Sequence, residues 1–143
     1  MVVKNSLSKN VVSAALILIL AGTFWLWLPG EIAQAATLVV TNTNDSGPGS
    51  LRQAVFDSAA GDTITFDPAL SGSTITLSST ITIDKDLTID GSGFYPQVEI
   101  NGGNSVRIFL ITNYVDVTLD SVTIKDGSST NGSALRVETN CSV

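Results

Sequence analysis

The chain contains no histidine and a single cysteine, Cys141. These two absences remove whole classes of chemistry. A zinc site built from His and Cys, a Ser-His-Asp triad, a Cys-His pair and a disulfide framework all need residues that are not present. Basic residues are also scarce: the 143 residues carry 7 Lys and Arg against 13 Asp and Glu, a formal net charge of -6. Lys4 and Lys9 precede a hydrophobic segment and Glu31 follows it, leaving 5 basic against 12 acidic residues from Ala36 onward, a balance of -7. No basic stripe exists to engage a phosphate backbone, which argues against nucleic acid as a partner. The same balance argues against anionic membrane surfaces and fits an acidic exported protein kept soluble by its charge.

What is present begins with a leader-like layout. Residues 1–10 hold two lysines and no acid, residues 11–28 hold no charge, Pro29-Gly30 breaks any helix, and Ala33-Gln34-Ala35 supplies a small-x-small cleavage site before Ala36. Two outcomes remain open for residues 1–35. One is a cleaved signal peptide with a hydrophobic helix at its centre. The other is a retained anchor, because 18 uncharged residues reach the lower limit for spanning a bilayer. The Pro-Gly break and the Ala-x-Ala site favour cleavage. Either way the lysines stay inside and everything after Ala36 is exported. The expected location is therefore secreted or cell-surface, with membrane contact only through this segment.

Residues 36–61 read as a β-rich run at residues 37–41, a loop of turn residues at 42–49, and one short capping helix. Ser50 is a natural N-cap with Gln53 three residues on, a capping box; Leu51, Ala54 and Val55 form an apolar face beside Arg52, and Gly61 ends the helix. After Asp62 the period switches from 3.6 to 2. Seven triplets then share one apolar-polar-apolar form: Ile64-Thr-Phe66, Ile75-Thr-Leu77, Ile81-Thr-Ile83, Leu87-Thr-Ile89, Val98-Glu-Ile100, Val117-Thr-Leu119 and Val122-Thr-Ile124. Asp, Asn, Gly and Ser fill the gaps.

Spacing decides the architecture. Sandwich strands run about five to six residues, and triplets joined by two or three residues cannot form useful hairpins with their sequence neighbours. They can pair with the equivalent triplet one coil later. Ile81 to Val106 spans 25 positions, Val98 to Val122 spans 24 and Leu87 to Val117 spans 30. Such a period, with three short strands per turn, predicts an all-β chain: a parallel β-helix of three to four coils over residues 62–143, closed at its start by the capping helix. The last coil begins at Ser133-Ala-Leu-Arg-Val137 and carries no evident terminal cap, so the expectation is a truncated or continuing solenoid that self-associates when expressed alone.

The run Val40-Thr-Asn-Thr-Asn-Asp-Ser-Gly-Pro-Gly-Ser-Leu-Arg-Gln-Ala54, then Gly61-Asp-Thr-Ile-Thr-Phe66, Leu87-Thr-Ile-Asp-Gly91 and Val122-Thr-Ile-Lys-Asp-Gly127, resembles the N-terminal region of bacterial secreted right-handed parallel β-helix repeat proteins. These open with a Ser-Leu-Arg-x-Ala cap motif and share the pectin-lyase-like fold. Many carry Cys before that motif where this chain has Gly49. The resemblance implies a right-handed solenoid at the start of a larger, adhesin-like secreted or cell-surface protein.

Candidate sites each have two readings. Asp84, Asp86 and Asp90 cluster beside strands and supply oxygen ligands for calcium. Their spacing departs from the EF-hand loop and glycine-rich calcium nonapeptides are absent, so turn aspartates accepting backbone hydrogen bonds explain them better. Asp116, Asp120 and Asp126 are read the same way. Arg107 and Arg136, 29 positions apart, face alike on neighbouring coils if the period holds, as a uronate lyase would require; exposed arginines on a solenoid face are the simpler reading. Arg52 lays its stem over the cap and pairs with a carboxylate or a helix-adjacent carbonyl. Phe94, Tyr95 and Tyr114 are placed either to stack on sugar rings or to shield the core edge. Asn131-Gly-Ser133 and Asn140-Cys-Ser142 match the N-glycosylation pattern, relevant only in a eukaryotic secretory route.

With no acid/base constellation evident, the favoured expectation is a non-catalytic extracellular scaffold for adhesion or display, with no resident cofactor and with extracellular glycans or host or cell-surface components as partners. The alternative is the start of a carbohydrate-active β-helix enzyme, a polysaccharide lyase or hydrolase whose site lies in further coils. Fold alone separates neither.

Overall fold

A computed structural model describes residues 34–128, 135–137 and 143. The chain divides into two units, Met1–Ala33 and Gln34–Val143. Residues 1–33 of the leader-like segment, both glycosylation patterns and Cys141 lie outside the described residues. Among the described residues no helix is long and apolar enough to cross a membrane.

Among the described residues, ten short strands and one α-helix follow in order: β1 Thr37–Val40, α1 Leu51–Asp57, β2 Asp62–Phe66, β3 Thr74–Thr76, β4 Ile81–Ile83, β5 Leu87–Asp90, β6 Glu99–Asn101, β7 Phe109–Ile111, β8 Val117–Asp120, β9 Thr123–Lys125 and β10 Leu135–Val137. A 3₁₀ turn, Pro68–Leu70, links β2 to β3, started by Asp67, whose Oδ1 accepts from the Ala69 N–H. The strands form three sheets, ordered β1-β2-β5-β8, β3-β6-β9 and β4-β7-β10, and every pairing is parallel. From β2 onward the chain visits the three sheets in rotation. That rotation makes a parallel β-helix of about four windings.

The alternation read in the triplets sets which residues stack. Leu38, Ile64, Ile89 and Leu119 are successive partners inside the first sheet, and Ile75, Ile100 and Ile124 inside the second. Ile64, Ile75, Ile89 and Ile100 are fully buried, so each winding supplies the hydrophobic contacts of the next. Outward residues stack equally: Thr37, Thr63, Thr88 and Thr118 form one column. The expected registers of 24 for Val98 with Val122 and 30 for Leu87 with Val117 hold. One does not. Ile81 pairs with Phe109, not Val106, because residues 102–108 form a turn and the strand that follows it, Phe109-Leu110-Ile111, is apolar throughout and lacks the triplet signature.

The windings approach closely at their corners. A Cβ on Gly91 would lie 2.5 Å from the Ser121 carbonyl oxygen, and one on Gly102 would lie 2.5 Å from that of Val106 and 2.8 Å from that of Asp126. Gly91 and Gly102 are therefore set by the close approach of backbone rather than by turn type alone.

In chain order α1 takes the place that strands of the second and third sheets occupy in later windings, and it packs on β1 and on β4, where the third sheet begins. Leu51, Ala54 and Val55 are its buried face, as the i, i+3, i+4 spacing predicts. Two details of the cap differ from expectation. Ser50 Oγ accepts the Gln53 N–H at 3.1 Å, but the Gln53 amide donates to Asp57 Oδ1 at 2.8 Å, and the Ser50 N–H goes to the Gly47 carbonyl, so the capping box is one-sided. The helix also stops at Asp57 rather than running to Gly61. Ser58 turns extended, donating its N–H to the Ala54 carbonyl and its hydroxyl to the Val55 carbonyl.

Candidate functional site

Two regions outside the core gather polar side chains: the junction between the cap and the first full winding, and the outer face of the second sheet.

At the junction, Arg52 is the hub. Its guanidinium meets Asp45 Oδ1 at 2.7 Å and donates to the carbonyls of Asp45 at 3.1 Å, Ser79 at 2.7 Å and Thr80 at 3.0 Å. Ser78 donates its hydroxyl to the other Asp45 oxygen. Burial works against the Asp45 charge, but Arg52 and Ser78 outweigh it and hold the carboxyl below the usual aspartate range. At the helix C-terminus Lys85 Nζ donates to the Ser58 carbonyl at 2.9 Å, satisfying a carbonyl the helix leaves open. Sequence reasoning placed Arg52 on a carboxylate or nearby carbonyl and the structure gives it both. Asp45 and Ser78 were not singled out, because their partners lie 7 and 33 positions away.

Gly49 closes the same loop. Its φ is +78°, its carbonyl accepts from the Thr41 and Asn42 N–H groups, and a Cβ there would collide with Thr41 Oγ1 and lie 2.7 Å from Asn42 Nδ2. Any side chain at this position would force Thr41 and Asn42 to shift and would have to adopt a left-handed φ.

Asp62 is the second junction carboxylate and is 5% exposed. Its Oδ1 accepts the Ala36 N–H and its Oδ2 the Ala59 N–H, both at 2.7 Å. Those two donors, against burial and aided by the Lys85 charge, hold it below the usual range.

The aspartates weighed as calcium ligands are dispersed. Asp84 lines a cleft of about 290 Å³ beside Phe56 and Lys85. Asp86 Oδ1 accepts the Asp116 N–H at 2.9 Å, and Asp90 Oδ1 the Ser92 N–H at 2.7 Å. The Ser92 hydrogen bonds hold Asp90 below the usual range. Among the described residues no group of three or more His, Cys, Asp or Glu is placed to share a metal ion. Asp120 accepts from the Ser121 hydroxyl and Asp126 from the Asn101 amide. The arginine pairing fails on register: Arg136 partners Leu110, while Arg107 lies in the turn before β7.

The outer face of the second sheet carries two polar columns, Thr74, Glu99, Thr123 and Thr76, Asn101, Lys125. Over the first hangs the loop of residues 91–98, fixed at four points. Asp90 holds Ser92; Phe94 packs edge-on against buried Phe66 with ring centres 6.5 Å apart; the Pro96 carbonyl accepts from the Gly72 N–H at 2.8 Å and the Ser71 hydroxyl at 3.0 Å; and Val98 is buried. Between these anchors Tyr95 is 95% exposed. Below it opens a cleft of about 420 Å³ lined by Phe94, Tyr95, Pro96, Gln97, Glu99 and Thr123. Gln97 Oε1 accepts from Thr123 Oγ1 at 3.1 Å, and Glu99 sits 3.5 Å from Lys125. The loop aromatics thus divide: Phe94 shields the core edge, whereas Tyr95 presents its ring to solvent. Tyr114, exposed in the turn before β8, is apart from this cleft. Gln97, Glu99 and Thr123 were missed as site residues because only the stacking of β6 on β9 brings Thr123 to the other two.

Comparisons with protein-family models, curated proteins and solved structures return no match.

Proposed function

We propose that this protein is a non-catalytic extracellular or cell-surface β-helix scaffold that serves adhesion or display by holding neutral glycans on its second sheet. The observation that carries the reading is the cleft beneath Tyr95. A rigidly anchored loop presents one aromatic ring almost wholly to water, above a floor of carboxylate, amide and hydroxyl groups. Sugar rings need that combination, an apolar face to stack on and acceptors and donors for equatorial hydroxyls. Glu99 in the lining and the net charge of -6 repel polyuronates, which speaks against a pectin-type substrate. Export is supported by the leader-like order of residues 1–35. Kinship with secreted β-helix repeat proteins is supported by Ser50, Leu51, Arg52 and Ala54, which occupy the cap positions their motif implies.

The test is binding of neutral gluco-, manno- and galacto-oligosaccharides, alongside polygalacturonate, to the full chain and to Tyr95→Ala and Tyr114→Ala. Neutral-sugar binding lost in Tyr95→Ala, weakened about tenfold or more, and kept in Tyr114→Ala supports the reading. Binding that survives Tyr95→Ala, or release of unsaturated products from polygalacturonate, overturns it.

A further inference from the structure

Ala36 is the residue that follows the small-x-small site, and the structure shows where its nitrogen lies. Its N–H points at Asp62 Oδ1, 2.7 Å away, while its carbonyl accepts the Thr63 N–H at 2.9 Å. The residue is thus held at the head of β1 by β2, with its outer side open to solvent. Asp62 in turn is buried at the end of the cap loop, where its second oxygen fixes Ala59.

We infer that Asp62 is the receptor for the amino terminus made by processing: cleavage after Ala35 turns the Ala36 nitrogen into an ammonium, which forms an ion pair with the Asp62 carboxylate and locks β1 onto the first winding. The inference rests on the export-and-cleavage part of the proposed function. The step is hydrolysis of the 35–36 peptide bond: the water oxygen joins the Ala35 carbonyl carbon as the C–N bond breaks, and both water protons end on the Ala36 nitrogen, leaving a carboxylate and an ammonium with no change of redox state. Before cleavage one N–H serves Asp62; afterwards the same atom carries a full positive charge at hydrogen-bond distance, the stronger class of contact. The other charged side chain bearing on Asp62 is Lys85.

Processing then leaves a signature in pH. The amine's folded-state pKa is raised by its partner, so its contribution is complete below the ordinary amino-terminal value of about 8 and is lost as pH rises through the folded value. The Asp62 contribution, from a depressed carboxyl, is complete above about pH 4 and lost on acidification. A chain joined at residues 35 and 36 has the acid limb without the alkaline one.

The full chain with its leader is to be expressed in a secreting host, its product sequenced from the amino terminus, and its melting temperature followed from pH 5 to 10. Two variants accompany it: Asp62→Asn, and an insertion of one glycine between Ala35 and Ala36, which moves the ammonium one residue away. A product starting at Ala36 whose melting temperature drops across pH 8–10, with that drop removed in both variants, is the expected result. A start at Met1 overturns the inference and the cleavage reading together; a start at any other residue overturns the inference and the position of the cut. A start at Ala36 with an alkaline limb unchanged in Asp62→Asn overturns the pairing alone and leaves export standing.

Discussion

Arg52 joins three stretches of chain: the loop of residues 42–49 through Asp45, the cap helix through its own backbone, and the turn before β4 through the Ser79 and Thr80 carbonyls. A planar guanidinium serves these acceptors at once and a lysine ammonium does not. Arg52→Ala is therefore expected to cost about 2 kcal/mol, with Arg52→Lys recovering little of it, as read by urea denaturation. The sequence motif named Arg52 as a cap residue. What it lacked was the partner, because only folding brings a turn 27 positions downstream against the helix.

Among the elements, those with strict alternation were legible and those without it were not. Thr63-Ile-Thr and Leu87-Thr-Ile announce their inward face by period alone, so β2, β5 and β8 follow directly, and with them the pairing of Leu87 with Val117. β7 has three apolar residues in succession, and its facing is set by the strands it joins: Phe109 and Ile111 are buried while Leu110 is partly exposed. Phe109→Ala is thus expected to cost about 3–5 kcal/mol and Leu110→Thr less than about 1 kcal/mol, by thermal melting. At the corners, Gly91→Ala drives a methyl onto the Ser121 backbone oxygen and is expected to cost about 1–3 kcal/mol, although Gly91 does not have positive φ. An alanine at Gly47, where nothing lies within 4 Å, meets only the penalty of its φ of +90°. The Tyr95 cleft escaped reading for the same reason as β7. The loop's composition announces a turn, but three of its four anchors are made to strands β2 and β5 and to the turn at Gly72, and the fourth is the burial of Val98.

For the whole molecule, three carboxyls, Asp45, Asp62 and Asp90, are held below their ordinary range by partners in the folded state. Their contributions are complete above the unfolded aspartate value of about 3.9 and are lost as pH falls through the folded values. Melting temperature should fall steeply between pH 4 and 2, and Asp45→Asn should shallow that fall; a pH-independent melt would refute the assignment. The account as a whole depends on each strand lying parallel over its counterpart one winding earlier, and a cross-link tests that most directly. In a Cys141→Ser background, Thr63→Cys with Thr88→Cys places thiols on directly paired residues of β2 and β5, whereas Thr82→Cys with Thr88→Cys places them where a β4-β5 hairpin would bring them together. Mild oxidation should close the first pair at full yield and leave the second open. A disulfide in the second pair and none in the first would contradict the solenoid.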